Sequence, residues 1–279
     1  MSKKTIGVIG AGKMGSALAI PLKNRGYDVI ATRRSVKKMK ELSDLGIEIT
    51  SNNRSAVQKS DVVIFSLKPG DTVEQMQKLR SELEGKMVIS ICASLPISKM
   101  EALLPNSTII RTMTNVASKY GSAFTIYSIS KKVSQKKEEE AQEILDCFGT
   151  FEKIEEKYMD PLTPISGSGP AYLFTVMESM VYAGLKVGVP RDLALRASHQ
   201  AVLASAKLVE DSDATLSELR ETFITPGGVT IEALYELENS GIKAAFMKAI
   251  EAASDKAKKS SEEFMEKMDG MDLEIEEEN

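Results

Sequence analysis

Three glycines at the spacing G-x-G-x-x-G, in Gly10-Ala11-Gly12-Lys13-Met14-Gly15, follow the β-branched run Lys4-Thr5-Ile6-Gly7-Val8-Ile9. They open an apolar-periodic segment at Met14, Leu18 and Leu22. A glycine turn placed between a strand and a helix can hold a pyrophosphate. Gly10 permits the tight turn, Gly12 lets the backbone approach the phosphates, and Gly15 lets the helix pack close to the strand. The free N–H groups and positive dipole end of the new helix then face the anion. Ile9, Gly10, Ala11, Gly12, Lys13, Met14 and Gly15 are therefore the expected dinucleotide cradle.

The next strand, Asp28 to Thr32, ends in Thr32-Arg33-Arg34-Ser35, with Lys37 and Lys38 close behind. A site that reads a ribose 2′-hydroxyl puts an acidic residue here. Two guanidiniums and a hydroxyl suit a 2′-phosphate instead, through charge-assisted bidentate bonds, so Arg33, Arg34 and Ser35 point to NADPH with NADH as the alternative donor. Two further glycine-rich stretches, Ser166-Gly167-Ser168-Gly169-Pro170 and Thr225-Pro226-Gly227-Gly228-Val229-Thr230, each lead into a helix. Their N–H groups are candidate holders of a small carboxylate.

These groups need a scaffold, and short strands alternate with helices to supply it. Strands are expected at Ile47–Ile49, Asp61–Phe65, Lys86–Ile91, Ser107–Met113 and Ala123–Ser128, with Asn52-Asn53 capping a helix over Arg54–Lys59 and a charged helix over Lys131–Cys147. The pattern predicts an α/β fold with a doubly wound, mostly parallel Rossmann sheet. Ligands bind beyond the carboxyl ends of such strands, which nominates Ser66, Leu67, Lys68 and Pro69, then Ile91, Cys92 and Ala93, and Asn115. Near Asp160 the strands stop, and helices are expected at Ala171–Lys186, Arg191–Val209, Thr215–Phe223, Thr230–Asn239 and Ile242–Met268. The first is apolar on most faces and should be buried, in a helical core or between two chains. The expected division is a Rossmann domain over 1–160, an all-α dimerisation and substrate domain over 161–268, and a mobile acidic tail over 269–279.

Composition excludes other classes. The 279 residues are 42% hydrophobic and 27% charged, which suits a globular chain with a real core. A net charge of -4 offers no basic footprint for nucleic acid. No apolar run is long enough to span a bilayer, and no signal-peptide pattern precedes the first strand. Cys92 and Cys147 are far apart, without metal-type spacing, and a reduced cytoplasmic setting is expected. The single histidine, His199, lies among helix formers and reads as a solvated helix residue.

The chain resembles the pyrroline-5-carboxylate reductases across its length to about Phe264. The resemblance rests on Gly10 to Gly15, Arg111-Thr112-Met113-Thr114-Asn115, Ser166 to Tyr172, and Thr225 to Ile231 with Leu237-Glu238. It departs from the family's usual pattern at Thr114, where Pro is usual, at Thr225, where Ser is usual, and at Gly70, where Gln or a similar residue often follows the Lys-Pro. The resemblance implies NAD(P)H as hydride donor and a homodimer intertwined through its helical domains. Some family members assemble five dimers into a ring. It further implies that Asn53, Ser66 to Pro69 and Ile91 to Ala93 line the cofactor, that Glu156 lies near the substrate, and that Thr230 contacts it.

The implied reaction is hydride transfer to the C=N carbon of a cyclic imine carboxylate, giving L-proline. A protonated imine is already electrophilic, so orientation is the main task of the protein. On this reading Gly227, Gly228 and Val229 hold the carboxylate and Thr230 bonds the ring nitrogen. Two rivals share the plan. One is a 3-hydroxyacid or 6-phosphogluconate type of reductase, which needs a lysine on the first long helix of the second domain; here none precedes Lys186. The other is an NADP-binding regulator without catalysis.

Overall fold

The computed structural model of the chain describes the backbone of residues 4–277 and the side chains of residues 4–269. The chain divides into two compact units. One runs to Gly167 and resumes at Ala253, and the other spans Ser168–Ala252.

The first unit opens with β1 (Thr5–Ile9), α1 (Lys13–Asn24) and β2 (Asp28–Thr32). Next come α2 (Lys40–Asp44), β3 (Glu48–Thr50), α3 (Asn53–Lys59), β4 (Val62–Phe65), α4 (Pro69–Lys78) and α5 (Arg80–Leu83). They are followed by β5 (Met87–Ser90), α6 (Ile97–Leu103), β6 (Thr108–Met113), β7 (Ala123–Ile129), α7 (Gln135–Leu145), β8 (Gly149–Lys153) and α8 (Met159–Ser166). The strands form one sheet in the order β3-β2-β1-β4-β5-β6-β7-β8. Neighbours run parallel except β6 and β7, which pair antiparallel with Arg111 opposite Ser128. The order reverses direction beside β1, so the carboxyl ends of β1 and β4 flank the crevice where this topology takes ligands.

Alternation along each strand feeds two cores. Val62 and Ile64 of β4 join Val8, Leu18, Leu22 and Phe148 on one face of the sheet. Val63 and Phe65 join Ile9, Met76, Leu95 and Met100 on the other. Period-two burial with both faces covered is why these strands are apolar throughout.

The second unit is helical: α9 (Gly169–Lys186), α10 (Arg191–Glu210), α11 (Leu216–Glu221), α12 (Val229–Asn239) and the start of α13 (Ile242–Glu277). A Cβ on Gly184 would lie 2.9 Å from the Ala194 methyl, so α9 and α10 cross closely at small residues. Thr215 and Glu218 form a reciprocal capping box that starts α11. From Ala253 onward α13 belongs to the first unit, where Phe264 and Met268 pack on the second core.

Several expectations need correction. The short edge strand β8 has no sequence counterpart above; its polar Thr150, Glu152 and Lys153 hide the period-two signal. The stretch Ser166 to Pro170 is not an open glycine loop. Gly167 and Ser168 keep helical dihedrals, and the Gly167 N–H donates to the Thr163 carbonyl. Asn52 rather than Asn53 caps α3, its side chain accepting from the Ser55 N–H at 3.0 Å. α13 continues beyond Met268 to Glu277, because Leu273, Ile275 and the glutamates favour helix and no proline stops them. Glu278 and Asn279, the end of the expected tail, lie outside the described residues.

Gly149 has φ +132, and a Cβ there would lie 2.7 Å from the Ala123 amide nitrogen. The Gly149→Ala variant should lose more than about 1 kcal/mol of stability, read as a lower urea midpoint. An unchanged midpoint would contradict this packing of β8 on β7.

Candidate functional site

The β1–α1 turn is built by the Thr32 backbone. Its carbonyl accepts from the Gly10 N–H at 3.2 Å and from the Ala11 N–H at 2.6 Å, and its hydroxyl accepts from Gly10 at 3.3 Å. Gly10 has φ +98, and a Cβ there would lie 2.6 Å from the Ser66 carbonyl oxygen. A Cβ on Gly15 would run into the Gly10 carbonyl oxygen. A Cβ on Gly12, by contrast, would meet nothing within 4 Å. Gly12 is also the N-cap of α1 and supplies no side-chain bond. No side chain therefore fills the space before the first turn of α1, the arrangement that receives a phosphate.

That space is a cleft of about 830 Å³. Gly10, Gly12, Arg33, Arg34, Ser35, Asn53, Ser66, Leu67 and Lys68, all expected at the cofactor, line it together with Thr32 and Lys38. Asn53 Nδ2 is fixed by donating to Gln75 Oε1 at 2.8 Å. Sequence reading missed Ser51, Asp71, Glu74 and Gln75 on the same wall. The last three belong to the first two turns of α4. The signal for them was present in Lys68-Pro69, a helix start at the carboxyl end of β4. Arg34 Nη2 contacts Asp71 Oδ2 at 3.1 Å, and Lys78 holds Glu74 and keeps its carboxyl below the ordinary value.

Ile9, Ala11, Lys13, Met14, Gly15, Pro69, Ile91, Cys92, Ala93 and Asn115 do not line that cleft. Ile9, Ala11 and Cys92 are buried, their side chains turned into the two cores. Burial pushes the Cys92 thiol up, against a hydrogen bond with Thr72 that lowers it. Whatever Cys92 presents to a ligand is main chain. The Asn115 amide is committed on both sides: Oδ1 accepts from the Ala117 N–H and Nδ2 donates to the Ser166 carbonyl, each at 2.8 Å. The departure at Thr114 is absorbed locally. Its hydroxyl accepts from Thr125 at 2.9 Å and contacts Ser118 Oγ at 2.8 Å, so no buried hydroxyl is orphaned.

Glu156, expected near the substrate, anchors another arrangement. Its Oε1 accepts from the Ile97 N–H at 2.8 Å, at the start of α6, and from Arg111 Nη1 at 3.0 Å. Arg111 is buried in mid-β6, and its Nη2 donates to Asp160 Oδ1 at 2.9 Å and to the Ala93 carbonyl. Its Nε has no hydrogen-bond partner among the described residues. One guanidinium thus ties the segment after β5 to α6 and α8. In the sequence Arg111 stands out only as part of the family resemblance.

In the second unit, Thr225, Pro226, Gly227 and Gly228 form a type II turn. The Gly228 N–H donates to the Thr225 carbonyl at 2.9 Å, and Gly227 has φ +69, with proline at the preceding position. Gly228 is the N-cap of α12, and a Cβ there would strike the Thr225 hydroxyl. This corrects one expectation, since the Gly228 N–H is used inside the turn. The unpaired N–H groups at this helix start are those of Val229, Thr230 and Ile231. Thr230 sits one residue into the helix, not at the cap, and its hydroxyl has no hydrogen bond among the described residues. His199 is exposed on α10, as expected.

Comparison with known proteins follows the two halves. Residues 156–260 match a family model described as pyrroline-5-carboxylate reductase dimerisation, and residues 5–94 one described as NADP oxidoreductase, coenzyme F420-dependent. A pyrroline-5-carboxylate reductase of Methanosarcina acetivorans is 35% identical over 92% of this chain and 98% of its own. That of Aquifex aeolicus is 34% identical over 91% and 96%. Among solved structures, the Plasmodium falciparum pyrroline carboxylate reductase with NADP bound superposes with a TM-score of 0.85 at 30% identity, covering 94% of this chain and 99% of that one.

The Arg111 side chain is only 5% exposed, while Glu156 and Asp160 are each about one-third exposed. Breaking a fully buried pair by removing one partner costs ~3–5 kcal/mol; with these carboxylates partly solvated, Arg111→Met should cost about 2–4 kcal/mol in urea unfolding. A loss below about 1 kcal/mol would show that the network is not a structural tie. Its place beside the Ala93 main chain, the glycine cradle of β1–α1 and the matches along nearly the whole length give one conclusion: the chain belongs to the pyrroline-5-carboxylate reductase family.

Proposed function

We infer that the chain reduces the C=N bond of 1-pyrroline-5-carboxylate to L-proline, with NADPH as the preferred donor. The observation that carries this reading is the open space at Gly12 in front of the α1 N–H groups, in a chain of this family. Bound NADPH supplies a hydride from nicotinamide C4. Everything else falls to the residues of the chain. The N–H groups of Lys13, Met14 and Gly15 hold the pyrophosphate. Arg33, Arg34 and Ser35 hold the 2′-phosphate. Asn53, Ser66, Leu67 and Lys68 line one side, Pro69 starts the helix behind them, and Ile91, Cys92 and Ala93 offer main chain on another. Asn115 supports the cofactor wall through an amide that already holds two backbone groups, and Glu156 supports it through Oε1, which accepts from the Ile97 N–H and from Arg111.

The substrate carboxylate goes to the α12 start, at the N–H groups of Val229, Thr230 and Ile231, with Gly227 giving the turn its shape. Thr230 then orients the ring nitrogen. Hydride added to the carbon of a protonated imine leaves a neutral secondary amine, so no general acid is needed and the protein acts by positioning. The working form is a homodimer built through residues 161–268, the region that overlaps the matched dimerisation model. The exposed apolar side chains of α9 and α10 support this: Phe174 is 65% and Leu203 52% exposed in the single chain.

Wild-type protein should oxidise NADPH only when the cyclic imine is present, with proline as product. Thr230→Ala should fold, melt at the wild-type temperature and bind NADPH, yet lose roughly ten- to a hundredfold in kcat/KM, the scale of one hydrogen bond to a charged group. Unchanged kcat/KM would mean that the substrate sits elsewhere, and cofactor binding without turnover would favour the regulator. Sedimentation should give a dimer at micromolar concentration; a stable monomer would contradict the interface.

A further inference from the structure

Arg34 is one of the two guanidiniums assigned above to the 2′-phosphate, and it already has an anion. Its Nη2 lies 3.1 Å from Asp71 Oδ2, with the Arg34 side chain 91% exposed and Asp71 38% exposed. Asp71 stands in the first turn of α4, where the positive end of the helix favours a carboxylate. Both residues line the same cleft as Gly12 and Ser35. The other carboxylate on that wall, Glu74, is held by Lys78. Glu74 also feels the Arg34 charge, but Asp71 is the carboxylate in direct contact with the guanidinium.

A site that reads a ribose 2′-hydroxyl takes a carboxylate at the end of β2 to accept from it. This chain has arginines there and delivers a carboxylate to the same wall from α4. We propose that Asp71 is a specificity-determining residue, which occupies Arg34 and opposes a 2′-phosphate, and so narrows the preference for NADPH over NADH. The physical basis is competition. A 2′-phosphate gains Arg34 only by displacing Asp71, and the displaced carboxylate remains close to a second negative group. NADH, whose ribose carries a neutral hydroxyl, suffers neither effect. Because the pair is exposed, the penalty is modest and salt-sensitive.

This proposal rests on the cofactor reading above, and direct binding separates the two. The dissociation constants of NADPH and NADH are measured by titration calorimetry for wild type, Asp71→Asn, Asp71→Ser, Arg34→Ala and the Asp71→Asn/Arg34→Ala pair, at low and high salt. Both Asp71 variants should bind NADPH about two- to fivefold more tightly, with NADH unchanged or weaker. The gain should shrink at high salt and be smaller in the Arg34→Ala background, where only the repulsion between Asp71 and the phosphate remains. Asp71 variants that bind NADPH as wild type does, or less tightly, would overturn the proposal, the latter by showing that Asp71 holds Arg34 in its useful position. A wild type that binds neither cofactor, or an Arg34→Ala variant that binds NADPH as wild type does, would overturn the cofactor reading and this proposal with it.

Discussion

No side chain fits between Gly10 and Gly15, where a Cβ on the second would run into the carbonyl oxygen of the first. This close approach brings the start of α1 down onto the end of β1. The Thr32 carbonyl completes the arrangement by taking the Gly10 and Ala11 N–H groups, which ties the end of β2 to the same turn. Gly10, Gly12 and the basic Arg33-Arg34-Ser35 segment thereby line one cleft. A larger residue at Gly15 would separate strand from helix and remove the cleft's defining geometry. The parallel sheet behind it, with both faces buried, is rigid enough to keep that geometry.

A second constraint works further along the sheet, at β6. Arg111 reaches from mid-β6 to the Ala93 carbonyl, to Glu156 and to Asp160. A buried guanidinium with several fixed acceptors specifies geometry more than it adds stability. Here it fixes the segment after β5, one of the proposed cofactor walls, against the starts of α6 and α8. Glu156 contributes through the Ile97 N–H, capping α6 from a distance in sequence.

Much of this was legible in the sequence. The strand cores are continuous apolar runs, and the glycine spacing is a local pattern that demands a local turn. What escaped depends on pairing between distant segments. β8 pairs with β7 through polar residues, so no period marks it. Asp71 joins Arg34 across 37 positions, and Glu156 meets Ile97 across 59. The Gly228 N–H was misassigned because composition does not reveal a turn's internal bond; a proline followed by a glycine at positive φ does. α13 shows the opposite case, since the helix expected to stop at Met268 runs on to Glu277, with no proline in the acidic run to end it.

The chemistry proposed for these parts is a single hydride passing from cofactor to imine carbon, and isotope transfer follows that atom. The protein is supplied with NADPH deuterated at both C4 positions and with the cyclic imine, in ordinary water. The product is then analysed by mass spectrometry and NMR. Direct transfer predicts L-proline carrying one deuterium, at ring carbon C5, and retention of that label whatever the solvent. Unlabelled proline, or deuterium that enters only from heavy water, would contradict hydride transfer from the bound nicotinamide.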